Sequence, residues 1–88
     1  MSWGIVYTNS ASNDLDDLPE NTEKRIALKI KYYAAQKNPL NFAKKLNPPF
    51  DNLYRFRIGE YRAVFELGKD TLRLLVILRI KHRKDAYE

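Results

Sequence analysis

Tyr54-Arg55-Phe56-Arg57-Ile58-Gly59-Glu60-Tyr61-Arg62-Ala63-Val64-Phe65 reads as two strands joined by a tight turn. Tyr54, Phe56 and Ile58 alternate with Arg55 and Arg57, the period of two expected of a strand with one buried face. Gly59-Glu60 suits a two-residue hairpin, because glycine at the first central position supplies the positive φ of a type II′ turn. That turn sets Ile58 opposite Tyr61 and Arg57 opposite Arg62. Like charges directly opposite one another destabilise a sheet, so a fold that keeps this pair is expected to hold an anion with it. Arg55 and Arg57 would stand roughly 7 Å apart along the strand, close to the spacing of successive phosphates on a nucleic-acid strand.

Working outward, residues 2–8 are rich in β-branched and aromatic side chains and read as a first strand. Asn9-Ser10 offers N-cap chemistry for a short helix carrying Ala11, Leu15 and Leu18, which Pro19 separates from the next. Residues 20–37 form the strongest helix, with Glu20 and Glu23 in its first turn and Ile26, Ile30, Tyr33 and Ala34 as its apolar stripe. Asn38-Pro39 stops it. Residues 40–52 are a connection containing Pro48-Pro49. A short turn of helix is expected over residues 42–46, with Phe42, Leu46 and Phe50 as anchors and Lys44 and Lys45 as candidate phosphate contacts.

Beyond the hairpin, residues 68–71 are a polar turn and residues 72–81 a long strand, apolar on both parities in its middle as a central strand would be. A four-residue loop would pair Leu67 with Leu72, Phe65 with Leu74, Ala63 with Val76 and Tyr61 with Leu78. The core face would then be Tyr54, Phe56, Ile58, Tyr61, Ala63, Phe65, Leu72, Leu74, Val76 and Leu78. The other face would gather Arg55, Arg57, Arg62, Arg79 and Lys81, with Leu75 and Ile77 among them. The tail adds His82, Arg83, Lys84 and Tyr87.

Composition agrees with a nucleic-acid partner. The chain has 88 residues, 44% of them hydrophobic, no cysteine and a net charge of +5. One domain is expected, without disulfides or cysteine-ligated zinc. No apolar run reaches membrane length, and no basic-then-apolar signal pattern opens the chain, so a cytoplasmic location with no membrane partner is expected. Residues 1–23 carry five acids and no Lys or Arg; residues 24–88 hold sixteen basic and six acidic residues. Such asymmetry points to a polyanion.

These residues carry a family resemblance. The stretch of residues 54–66, Tyr-Arg-x-Arg-x-Gly-x-Tyr-Arg-x-x-x-Glu, and the tail His82-Arg83-Lys84-Asp85-x-Tyr87 closely resemble the RelE group of the RelE/ParE toxin superfamily. The resemblance covers nearly the whole chain. It implies an α+β fold of order β-α-α-β-β-β, an antiparallel sheet with a helical hairpin on one face. It implies a type II toxin that enters the ribosomal A site, cuts mRNA, and is neutralised by a cognate RelB-like antitoxin. DNA contact would come only through the antitoxin complex.

Carried over by motif position, the family's functional residues are Arg55, Arg57, Arg62, Arg83 and Tyr87; at the first two positions lysine is common in the family. Cleavage would be an in-line attack of the 2′-hydroxyl on the adjacent phosphorus, needing neither metal nor cofactor. Arg55, Arg57 and Arg62 would hold the phosphate and the developing oxyanion. Arg83 would serve the leaving 5′-oxygen. Arginine cannot act as a base, so the proton acceptor would be His82 or Tyr87. Arg79, Lys81 and Lys84, with Lys44 and Lys45, are the outer RNA-binding candidates. Leu75, Ile77 or the outer helix surface would dock the antitoxin. The alternatives are a ParE-like toxin that inhibits gyrase by binding, and a non-catalytic RNA-binding domain.

Overall fold

The computed structural model describes residues 3–68 and 73–85. Leu72, most of the polar turn before it, and Tyr87 lie outside the described residues. The described elements are β1 (Gly4–Tyr7), α1 (Asn9–Asp16), α2 (Glu20–Ala34), β2 (Ala43–Lys45), β3 (Tyr54–Ile58), β4 (Tyr61–Leu67) and β5 (Leu74–His82), with 3-10 turns at Pro39–Phe42 and Arg83–Asp85. The strands form one sheet of order β1-β5-β4-β3-β2.

The hairpin of β3 and β4 has the register that its turn dictates: Ile58 faces Tyr61 and Arg57 faces Arg62. Gly59 has φ +60°, and Glu60 is not among the positive-φ residues, which is the type II′ pattern. A side chain at position 59 would also crowd the guanidinium of Arg25, whose Nη2 would lie 3.1 Å from an added Cβ.

Both helices pack on one face of the sheet. Ala11 and Leu15 of α1 and Ile26, Ile30, Tyr33 and Ala34 of α2 meet Phe56, Ile58, Ala63, Phe65, Leu75, Ile77 and Ile80 in a single cluster. The centre is an aromatic stack: Tyr33 lies 4.6 Å from Phe56, and Phe56 lies 4.4 Å from Phe65. The N-cap of α1 is Thr8, one residue earlier than the Asn9-Ser10 expectation, and its Oγ1 accepts from the Ala11 amide. Helix α2 closes at Ala34, three residues early, its end tightening into i→i−3 bonds from the Ala35 amide to Tyr32 and from the Gln36 amide to Tyr33.

Three further expectations fail. Residues 42–46 do not form a helical turn. Asn38 caps a 3-10 turn over Pro39–Phe42, and Ala43–Lys45 then pair with β3 as β2. A one-turn helix is intrinsically unstable, and the open edge of β3 offers hydrogen bonds that it cannot match. The sheet is mixed, since β1 runs parallel to β5.

The third concerns β5. Its register against β4 sets Phe65 opposite Ile77, Ala63 opposite Ile80 and Tyr61 opposite His82, instead of Leu74, Val76 and Leu78. Val64 faces Arg79 while Phe65 faces Ile77, so Leu78 is an extra, bulged residue. Leu75 and Ile77, expected on the basic face, are fully buried in the core. They cannot be an antitoxin docking surface. Among the described residues, the exposed large apolar ones are Val6, Leu28, Tyr32 and Phe42.

Candidate nucleic-acid interface

Cross-strand partners put their side chains on the same face of a sheet. On the face away from the helices, the registers assemble two rows. One is Arg57 on β3, Arg62 on β4 and Lys81 on β5. The other, two residues along, is Lys44 on β2, Arg55 on β3, Val64 on β4 and Arg79 on β5. Neighbours within a row stand about 5 Å apart at Cβ, and the rows about 7 Å apart.

The first row is a chain of like charges. Like charges set opposite one another across a sheet disfavour the pairing. A bound polyanion would reverse the sign of this effect. Arg57 is exposed, whereas Arg55 is only 8% exposed and the Nε of Arg62 is buried. The stems of these two side chains therefore cover the sheet while the row as a whole stays cationic.

Arg83 follows β5 at the hairpin end of the first row. Its amide donates to the Glu60 carbonyl at 2.7 Å, which ties the tail to the β3–β4 turn. The side-chain pair, Arg83 Nη2 to Glu60 Oε1 at 3.8 Å, is long and more than 60% exposed on both sides. It holds the guanidinium only weakly.

Not every candidate joins this surface. Lys45 faces Tyr54, which puts it on the helix-bearing face. His82 faces Tyr61 and lies on that face too, its ring edge-on to Tyr61 at 5.2 Å and its Nδ1 accepting from the Lys84 amide. The histidine is thus separated by the sheet from the arginines it was to serve. Lys84 sits in the exposed 3-10 turn beside Arg83.

Arg79 stands in the second row, but its guanidinium is held by Asp14 of α1: Nε donates to Oδ2 at 2.8 Å and Nη2 to Oδ1 at 3.1 Å. The same Oδ2 accepts from the Ile80 amide at 2.8 Å. Asp14 is a residue that the sequence did not single out. Its partners lie 65 and 66 positions away, and no local pattern joins them.

Burial alone would raise the Asp14 carboxyl. The hydrogen bonds from Arg79 and Ile80, with the charges of Arg79 and Lys81, outweigh it and hold the pKa below the ordinary value near 3.8. The group's folded pKa is depressed, so its stabilising contribution is complete above the ordinary value and lost as pH falls through the lower one. Asp14→Asn should therefore lower stability at neutral pH, and the difference from the parent should shrink below about pH 4. Urea melts across that range measure it; a constant difference down to about pH 2 would contradict this account.

Among the described residues no group of three or more His, Asp or Glu side chains is placed to hold a metal ion, and no helix is long and apolar enough to cross a membrane.

Comparison with known proteins agrees with this fold. A family model described as the ParE toxin of type II toxin–antitoxin system, parDE, matches residues 5–87. Toxin RelE3 of Methanocaldococcus jannaschii is 32% identical over 87 residues, covering 96% of this chain and 94% of that protein. Toxin RelG of Mycobacterium tuberculosis is 28% identical, covering 99% and 98%. Among solved structures, the toxin–antitoxin complex RelBE2 of Mycobacterium tuberculosis is similar with a TM-score of 0.79 at 25% identity, covering 94% of this chain and 100% of that one. The RelB–RelE antitoxin–toxin complex of Methanococcus jannaschii gives 0.67 at 28%, covering 93% and 94%.

Proposed function

The chain belongs to the RelE/ParE toxin superfamily as a RelE-type toxin of type II toxin–antitoxin systems, and from that premise we propose that it is a ribosome-dependent endoribonuclease that cuts mRNA in the A site. The observation that carries the reading is the cationic row Arg57–Arg62–Lys81, with Arg55 and Lys44 one row behind it. The two rows stand about 7 Å apart, close to the spacing of successive phosphates, so a single RNA strand can cross them.

Arg57 and Arg62 bind the non-bridging oxygens of the scissile phosphate and stabilise the extra charge of the pentavalent state. Lys81 and Lys44 hold flanking phosphates. Arg83, loosely held at the hairpin end, is free to swing to the leaving 5′-oxygen. With His82 across the sheet, acceptance of the 2′-hydroxyl proton falls to Tyr87. The attack forms a 2′,3′-cyclic phosphate and releases a 5′-hydroxyl. The ribosome contributes by holding the substrate in line.

In the cell the toxin would sit in the cytoplasm, neutralised by a cognate RelB-like antitoxin; its relatives were solved as toxin–antitoxin complexes. The test is purified protein added to programmed ribosomes, with 5′ ends of the mRNA mapped by primer extension. Cleavage within the A-site codon is the expected result, and intact mRNA would end the proposal. A match to a family model described as a ParE toxin keeps one other reading in view: a ParE-like toxin, which would inhibit gyrase by binding. A supercoiling assay with the same preparation separates the two.

A further inference from the structure

Strand β5 presents a puzzle of parity. Leu75 and Ile77 are buried in the core, so strict alternation would turn Arg79 and Lys81 inward and Ile80 outward. The structure does the reverse: Ile80 is 5% exposed in the core, and Arg79 and Lys81 stand opposite Val64 and Arg62 on the cationic face. The bulge at Leu78 makes this possible by absorbing one residue. Nothing in the apolar run of β5 dictates that the bulge falls there, since both parities are hydrophobic.

On the side away from β4, this segment meets Thr8, the N-cap of α1, and Asp14 in the last turn of that helix. The Thr8 amide donates to the Ile77 carbonyl at 3.0 Å and the Thr8 hydroxyl to the Leu78 carbonyl at 2.9 Å. Asp14 accepts from Arg79 and from the Ile80 amide. Four consecutive β5 residues are thus gripped by one turn and a half of helix, where β1 has ended and the edge of β5 would otherwise be open.

We propose that Asp14 is a positioning residue for RNA binding: by clamping the Leu78 bulge it fixes the register in which Lys81 stands opposite Arg62 and completes the cationic row. The inference rests on the RNA reading above. It also makes a prediction opposite in sign to simple electrostatics. Removing a carboxylate beside a basic face should, on charge alone, tighten RNA and steepen its salt dependence. If Asp14 places Lys81, its loss weakens RNA binding and flattens that dependence.

The test is binding of a short single-stranded RNA oligonucleotide to the purified chain from low to moderate salt. Lys81→Ala should reduce the slope of log K against log salt by about 0.7, one phosphate contact on a single strand. Asp14→Ala, with its fold checked by circular dichroism, should reduce it by a similar amount, and the double variant no further. Deleting Leu78 removes the bulge while keeping Lys81 on the RNA face. In that background Asp14→Ala should leave the slope unchanged, a comparison that still reads out if the single variant does not fold.

A purely structural Asp14 would lower the melting temperature and leave the slope of the folded protein intact. An unchanged or steeper slope in Asp14→Ala, or a loss that persists in the Leu78 deletion, overturns the inference alone. A wild-type slope near zero overturns the RNA reading and this inference with it.

Discussion

Arg62→Ala is expected to lower mRNA cleavage on programmed ribosomes by about 10²–10³-fold, the loss typical of removing one preorganised donor to a developing oxyanion. Arg62 is chosen because it occupies the middle of its row, with Arg57 on one side and Lys81 on the other. A phosphate held by either neighbour therefore lies within its reach. Arg57, at the exposed end of the row, should matter less. Arg55 is a poorer probe: at 8% exposure its truncation would also open the sheet surface.

Arg62→Lys separates charge from geometry. Lysine keeps the cation but not the planar fork that binds two phosphate oxygens at once. Its activity should fall between those of the parent and the alanine variant. The measurement is the single-turnover cleavage rate at saturating ribosome, with circular dichroism confirming the fold. Full activity in a folded Arg62→Ala protein would leave the nuclease proposal without its central residue.

Phe56→Ala should be the most destabilising single change among those the structure suggests. Phe56 is fully buried, stacked between Tyr33 of α2 and Phe65 of β4. Truncating a buried phenylalanine costs about 3–5 kcal/mol, and the two lost ring contacts each contribute about 0.5–1.5 kcal/mol within that range. Small domains have only about 5–15 kcal/mol of stability. At about 4–8 °C per kcal/mol for a chain of this size, the melting temperature should drop by about 12 °C or more. Calorimetry measures this directly. Phe42, also stacked on Tyr33 but 44% exposed, is the internal comparison. Its alanine variant should shift the transition much less, and equal shifts would mean that the aromatic stack is not the keystone described here.

Arg62 and Phe56 lie on opposite faces of one sheet, and that division is largely legible in the sequence. Strand β3 alternates strictly, so its parity alone sends Phe56 to the helices and Arg55 and Arg57 to the other side. The helix α2 announces its buried stripe in the same way, through Ile26, Ile30, Tyr33 and Ala34. Candidates placed by run-on composition fared worse. Lys44 and Lys45 read as one basic pair, but as strand residues they diverge to opposite faces. His82 was attractive for its chemistry, yet it lies on the side of the sheet that the arginines do not occupy.

What the amino-acid order determined by itself rests on neighbours close in the chain: the hairpin at Gly59, the pairing of Arg57 with Arg62, and the periodicity of the buried stripe of α2. Periodicity and turn chemistry are local, and they leave one solution there. Only the tertiary structure decided where β5 slides against β4, that Leu78 bulges, and that Asp14 reaches Arg79 and Ile80. A strand apolar on both parities can be buried in several registers at similar free energy. The choice among them falls to polar groups brought together from opposite ends of the chain.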